Sequence, residues 1–312
     1  MVAKAKRANE KGVIHMHDMF YFTDLHGQKD LFIAMRAWCL RQDEECTIVY
    51  GGDACDRGEH GYEIMNMLLA DPQILYLKGN HEDLFVKAAR ELIGYYARND
   101  EFYTAFHNCH DEETASNLIR NGGAHDVSLH CYNGGFPTLR DWILDGADDE
   151  FVDKIDALPV TFSYEGVDFC HAGGTYSAFK AVNDAEYWDA ESNYYAIDKC
   201  IWDRNAIALG WETGRICVHG HTPTILLPRG IYGTDQSEAH AHPCAWQDHM
   251  GGKEKRGGWK IDMDTGATWT GRAYVLNVLT MHVTGFFDHR VPENHEPDGI
   301  AIEEEFENYK II

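Results

Sequence analysis

Positive charge is scarce in this sequence. Its 27 lysines and arginines face 51 aspartates and glutamates, for a formal charge of −24. A surface this acidic repels nucleic acid and anionic lipid at long range. It argues against sequence-independent binding to DNA or RNA, which needs many cationic contacts to phosphate. A phosphorylated substrate would meet the same repulsion, so a site for one must carry local positive charge from metal ions or arginines. Long apolar runs are also missing. None approaches the ~20 residues of a membrane span, and the first dozen residues are basic but lack the apolar stretch of a secretory signal. Among the nine cysteines there is no CxxC pair. Their odd number, their scatter and their position inside apolar runs such as Val167-Asp168-Phe169-Cys170 exclude a disulfide framework and point to reduced core thiols. The expectation is a soluble cytoplasmic protein, monomeric, with neither nucleic acid nor membrane as partner.

What is present is a globular composition, 44% hydrophobic and 12% aromatic over 312 residues, enough for one large α/β domain. Met19-Phe20-Tyr21-Phe22-Thr23 is strand-like and ends at Asp24. Leu31, Met35 and Trp38 then recur at helical spacing with Phe32 alongside. Thr47-Ile48-Val49-Tyr50 leads to Gly51-Gly52-Asp53, and a helical stretch follows with Ile64, Met67 and Leu68 on one face. Gln73-Ile74-Leu75-Tyr76-Leu77 leads to Gly79-Asn80-His81, followed by Phe85, Ala88, Ala89 and Leu92 at helical spacing. The two repeat lengths are nearly equal, 53 − 24 = 29 and 80 − 53 = 27, as expected for parallel strands with helical crossovers. Each strand delivers an Asp or Asn at its carboxyl end, where open α/β sheets place their ligands.

Residues 95–158 are polar and helix-prone, with Asn121-Gly122-Gly123 and Asn133-Gly134-Gly135 as breakers, and read as a helical insertion beside the site. Strand patterns return from Val160 and suggest a mixed or antiparallel second sheet. Residues 228–258 read as a long polar loop. His240, His242, Cys244 and His249 in it match no strong zinc spacing and read as solvated. Residues 13–290 are expected to form the catalytic domain and 291–312 an acidic, peripheral tail with Glu303-Glu304-Glu305 on a solvated face. His15 and His17 read as plain strand residues.

Five short segments collect donors: Asp24-Leu25-His26-Gly27, Gly52-Asp53-Ala54-Cys55-Asp56-Arg57-Gly58, Gly79-Asn80-His81-Glu82, His171-Ala172-Gly173 and His219-Gly220-His221-Thr222. Carboxylate, amide and imidazole donors without thiolate suit manganese, iron or zinc in a reactive site better than a structural zinc site. A carboxylate such as Asp53 can bridge two ions, which together hold a hydroxide and the oxygens of an in-line displacement at phosphorus. Arg57 offers a planar fork for phosphate. His81 is placed to protonate a leaving group, with Asp56 to orient it. His219, two residues before His221 on a strand, reads as a neighbour of the ligands rather than one of them.

The order DxHG, GDxxDRG, GNHE, a lone His and GH resembles the calcineurin-like metallophosphoesterase superfamily, and within it the phosphoprotein phosphatase branch in its phage and bacterial forms. Ile201-Trp202-Asp203-Arg204, Gly220-His221-Thr222-Pro223 and Ile261-Asp262-Met263-Asp264-Thr265-Gly266-Ala267 extend the likeness over roughly residues 19–283. The resemblance implies a β-sandwich flanked by helices. It also implies two divalent metal ions, with manganese the first choice. Asp24 and His26 would bind the first ion, Asp53 would bridge, and Asn80, His171 and His221 would bind the second. Arg57 and Arg204 would grip phosphate, His81 would act as acid, and Asp56 would orient it. Thr23 replaces a usual glycine, and Pro223 stands where other branches carry one more histidine. The function implied is a phosphomonoesterase of the protein serine/threonine phosphatase type, acting on a phosphorylated protein or small phosphate ester. A dinucleoside polyphosphate hydrolase is the alternative, with Tyr132, Phe136, Tyr232 and Trp246 as candidates for reading a base. An inactive metal-binding scaffold is disfavoured because every motif position is filled, and a nuclease is disfavoured by the charge.

Overall fold

The computed structural model describes residues 17–122, 124–184, 190–207, 209–227, 241–247 and 257–290, with the backbone of strands at 7–8, 14–15 and 302–310. The chain begins with β1 (Arg7–Ala8), β2 (Ile14–His15), β3 (Met19–Phe22), α1 (Lys29–Gln42), β4 (Thr47–Tyr50), α2 (Gly61–Ala70), β5 (Ile74–Tyr76) and α3 (Asn80–Tyr96). The helical insertion supplies α4 (Asp100–His107), α5 (Glu112–Asn121), α6 (His125–Tyr132), α7 (Phe136–Leu144) and α8 (Asp149–Asp156). There follow β6 (Thr161–Tyr164), β7 (Val167–Cys170), α9 (Tyr176–Asn183), α10 (Ala190–Trp202), β8 (Ile216–His219), β9 (Cys244–Gln247) and β10 (Trp259–Asp262). The last elements are α11 (Ala267–Thr270), β11 (Arg272–Asn277), β12 (His282–Asp288) and β13 (Ile302–Lys310).

Two mixed sheets face each other. One has the order β13-β12-β11-β3-β4-β5 and the other β6-β7-β8-β10-β9. Strands β3, β4 and β5 are parallel, as are β7, β8 and β10. Period-two alternation splits each strand between two cores. Met19, Tyr21, Val49, Val167, Phe169, Val218 and Ile261 pack together between the sheets. Phe20, Phe22, Ile48 and Tyr50 point the other way, onto helices that contribute Leu31, Phe32, Met35, Ile64, Leu68 and Phe85. Each such side chain stabilises the fold by about 1.5–3 kcal/mol when fully buried. On the far face of the second sheet, Cys170 and Cys217 meet Phe179, Cys200, Ile201 and Trp211 around α9 and α10. The result is the expected β-sandwich flanked by helices.

All nine cysteines are free thiols, eight of them buried. Among the described residues no helix is long and apolar enough to cross a membrane. Residues 228–258 are not loop throughout, because Cys244–Gln247 forms β9 and pairs antiparallel with β10. Residues 228–240 and 248–256, with Tyr232, His240 and His249, lie outside the described residues. In the acidic tail, residues 302–310 form β13 at the edge of the larger sheet. His15 belongs to β2, but His17 is in no strand, and its ring instead pairs with Asp43 at 3.1 Å.

Candidate metal centre

The five donor segments follow the carboxyl ends of β3, β4 and β5 in one sheet and β7 and β8 in the other. The loops after β3 and β4 are laced together: Asp24 N donates to Gly52 O at 3.1 Å, His26 N to Asp53 O at 3.1 Å and Gly58 N to His26 O at 3.0 Å. The fit leaves no room at Gly52, where φ is +99° and a Cβ would stand 2.7 Å from Gly79 N and 2.9 Å from His171 Nδ1. Nine non-glycine residues among those described have positive φ, and six are site candidates: Asp24, His26, Asp53, Asp56, Arg57 and His221. Such conformations cost on the order of 1–3 kcal/mol each and persist only where surrounding contacts enforce them.

Asp53 is the meeting point of two buried groups of donors, His26–Asp53–His81 and Asp53–His171–His221. Its Oδ2 lies 3.5 Å from His26 Nε2 and 3.9 Å from His81 Nε2, and its Oδ1 lies 3.3 Å from His171 Nε2. Asn80 Oδ1 is 3.0 Å from His171 Nε2 and 2.7 Å from His221 Nδ1. Asp24 accepts from the His221 backbone N–H at 3.1 Å. The outward nitrogens are the telling feature. His26 Nδ1–H donates to Cys55 O at 2.8 Å, His171 Nδ1–H to Gly51 O at 2.9 Å and His221 Nε2–H to Trp202 O at 3.2 Å. Each carbonyl fixes the tautomer that turns a lone pair inward, as metal-ligating histidines require.

The electrostatics of two of the three imidazoles agree with this donor set. Burial, then Arg57 and His81, push His26 down to about 3, and burial with His171 and Arg204 holds His221 well below its ordinary value. Neutral imidazoles are the form that ligates. Burial opposes a charge on His171 too, but Asp53 and Asp24 outweigh it and raise it to about 10. Burial works against ionisation of Asp53, yet His171 and His81 hold it well below the usual carboxylate range. Asp24 is raised by burial and by Asp264, which itself rises to about 6 through burial. The buried carboxyls of Asp24, Asp53 and Asp264 crowd one another here, and a bound cation would relieve that repulsion.

Beside this centre, His81 Nδ1–H donates to Asp56 Oδ2 at 2.7 Å. Burial disfavours a charged His81, but Asp53 and Asp56 prevail and raise it. Arg57 reaches His26 Nε2 at 2.8 Å and His81 Nε2 at 3.0 Å, and its guanidinium lies 5.7 Å from the Trp269 ring. Arg204 has a lighter tether, 3.4 Å to Thr222 Oγ1. All ten residues singled out in the sequence therefore lie in or directly beside one buried site. His219 does not join either donor group. Its ring packs against Trp246 with centroids 5.6 Å apart, on the outer face of the second sheet.

A family model described as calcineurin-like phosphoesterase matches residues 20–224. The chain belongs to the calcineurin-like phosphoesterase family. Among curated proteins, none matches by sequence. Solved structures similar to this family member include a metallophosphoesterase from Sphaerobacter thermophilus, at 12% identity and TM-score 0.41, covering 86% of each chain. Another is a putative diadenosine tetraphosphatase, at 11% identity and TM-score 0.42, covering 94% of this chain and 95% of that one. A protein serine/threonine phosphatase from Saccharomyces cerevisiae aligns at 11% identity and TM-score 0.38, over 92% of this chain and 79% of that one.

Membership places the chain among metal-dependent phosphoester hydrolases, a family that binds two divalent metals, and the two donor groups sharing Asp53 can hold them. Three buried residues of this calcineurin-like phosphoesterase were given no role by sequence reasoning. Glu82, the last letter of GNHE, accepts from the backbone N–H of Asp53, Ala54 and Gly79, each at 2.8 Å, and from Tyr76 OH at 2.7 Å. His130 and Thr138, from the helical insertion, both bond Asp56. The signal for Glu82 was present in its motif, whereas His130 and Thr138 lie 74 and 82 residues from their partner.

Proposed function

We propose that the chain is a two-metal phosphomonoesterase of the protein serine/threonine phosphatase type, from the phosphoprotein phosphatase branch. The observation that carries this reading is the single carboxylate of Asp53 shared by two donor groups in which His26, His171 and His221 have their outward nitrogens tied to backbone carbonyls. Asp24, His26 and Asp53 hold the first ion, and Asp53, Asn80, His171 and His221 the second. Manganese is the first choice, with iron or zinc also suited to these donors. When bound, the ions supply an activated water and hold phosphoryl oxygens. His81 falls in the first donor group by distance, but its outward nitrogen rests on a carboxylate and its inner one faces Arg57. That pairing suits an acid working beside a phosphate better than a ligand. Arg57 and Arg204 orient the phosphate, His81 gives its proton to the departing oxygen, and Asp56 keeps the imidazole aimed.

The second reading, a dinucleoside polyphosphate hydrolase, is favoured by a cleft of about 780 Å³ between α9, α10 and the residues Asp203, Asn205, Ala206 and Leu209. Asp203 and Asn205 line it on either side of Arg204, and exposed Tyr195 offers a ring at its wall. Metal-stripped protein should be assayed with added Mn²⁺ on p-nitrophenyl phosphate, a phosphoserine peptide and diadenosine tetraphosphate. Manganese-dependent turnover of the peptide supports the first reading, and preference for the dinucleotide supports the second. Protein that binds two metals per chain yet turns over none of the three would overturn both readings and favour either a specialised substrate or the scaffold.

A further inference from the structure

Asp56 is the hub of a buried network that reaches well beyond His81. Its Oδ2 accepts from His81 Nδ1–H at 2.7 Å. On its other side His130 Nε2–H lies 2.9 Å from Oδ1 and 2.8 Å from Oδ2, and Thr138 Oγ1 donates to Oδ1 at 2.8 Å. None of these four side chains reaches solvent: His81 and His130 are 1% and 0% exposed, and Asp56 and Thr138 are 0%. The two histidines come from different helices. His81 opens α3, and Phe85, one turn later, sets its ring edge-on to His130 at 6.1 Å. His130 sits in the last turn of α6.

The far nitrogen of His130, Nδ1, is buried with no hydrogen-bond partner among the described residues. Leaving such a group unsatisfied disfavours the fold. An apolar side chain would pack against Phe85 without that cost, so packing alone does not account for an imidazole here. The turn after α6 fixes the ring further. A Cβ on Gly135 would stand 2.2 Å from His130 Nε2, and Gly134 O accepts from Arg57 N at 2.9 Å. One turn of the insertion thus braces both Asp56 and the backbone of Arg57, two residues held at left-handed φ.

We propose that His130 is a positioning residue for phosphoester cleavage: by occupying the rear of the Asp56 carboxylate it leaves one oxygen lobe for His81 and so holds His81 Nδ1–H toward Asp56 and Nε2 toward the leaving group. The catalytic part of this proposal rests on the phosphoesterase reading. The orientation of His81 does not.

The test compares His130→Phe, which keeps a ring against Phe85 but loses the donor, with His130→Gln, whose amide N–H reaches the region of Nε2. With the manganese-loaded full chain, His130→Phe should lower kcat on a phosphoserine peptide about 10- to 100-fold, part of the 10²–10⁴ that a positioned acid contributes. On p-nitrophenyl phosphate, whose leaving group hardly needs a proton, the loss should stay within about threefold. KM should not move, and His130→Gln should recover most of the loss. In parallel, the His81 Nδ1–H proton resonance of the zinc-loaded chain, assigned by its disappearance in His81→Asn, should shift or broaden in His130→Phe and return in His130→Gln. Should His130→Phe fail to fold, Gly135→Ala displaces the same ring and should give the same signature. Equal losses on both substrates, no recovery with Gln, or an unmoved His81 resonance would each overturn the proposal. A wild-type chain that cleaves neither substrate would overturn the phosphoesterase reading instead, and the resonance would still decide whether His130 orients His81.

Discussion

Asp53 and Asp56 belong to one loop and are both fully buried, yet the two ends of that loop are held by different regions of the molecule. The Asp53 end is gripped by the sandwich edges and by the first turn of α3. Glu82 takes its backbone N–H, and the histidines of both sheets surround its carboxylate. The Asp56 end is gripped by the helical insertion through His130, Thr138 and Gly134. Both carboxylates are held below their usual range against burial, Asp53 chiefly by His171 and Asp56 chiefly by His130. The same residue type, in the same loop, is directed to different chemistry by what the fold brings opposite it. Metal-type donors come from the sheet edges and the start of α3, and the acid's support comes from the helical insertion.

The sharpest way to break this contrast is to remove one carboxylate charge at a time. Asp53→Asn should lower kcat about a thousandfold, equivalent to ~4 kcal/mol of transition-state stabilisation, and reduce bound metal measured by elemental analysis. Asp56→Asn should cost less, on the order of a hundredfold on alkyl phosphates, while leaving metal content intact. If both variants lose metal alike, the two ends of the loop are not separate in function. Thr138→Val tests the insertion side alone and should lower kcat about tenfold, within the range for partners that orient a reacting group.

Glu82→Gln moves the comparison from chemistry to folding. An amide cannot accept from three backbone donors as a carboxylate does, so the Asp53 end should loosen and stability should fall by about 1–3 kcal/mol, read as a lower melting temperature. The smallest effect is expected at the outer rim, where Lys78 Nζ meets Asp156 Oδ1 at 2.8 Å. Burial pushes the Asp156 carboxyl up, but Lys78 and Arg90 carry it below its ordinary value. A depressed carboxylate stabilises the fold above its unfolded value near ~4 and loses that contribution as pH falls through the lower folded value. The melting-temperature gap between wild type and Asp156→Asn should therefore be open at pH 7 and shrink steadily as pH falls below the unfolded value near ~4.

Much of this arrangement was legible in the sequence because its signals are local. Phe20 and Tyr21 reveal a two-faced strand, Leu31 and Met35 a one-faced helix, and Asp24, Asp53 and Asn80 mark the points where strands stop. The six metal-type donors could be picked out because each sits beside a glycine or a turn at a strand end. His130 and Thr138 could not, because nothing near them in the chain announces a partner so distant, and Asn133-Gly134-Gly135 looked like a mere break. Strand β9 was hidden by its Gly-rich surroundings, since Ala245 and Trp246 alternate over too few residues to stand out. Strand β13 was hidden by its charge, although acidic and basic residues are common on edge strands that must not recruit another chain.

One ammonium group has reach across the second sheet. Lys260, fully buried on β10, donates to Gly174 O at 2.9 Å and Ala206 O at 2.8 Å. The first carbonyl ends the loop that carries His171, and the second follows Arg204 by two residues. A rivet through both loops makes them one mechanical part, so the spacing between His171 and Arg204 is set from behind by a residue that touches neither.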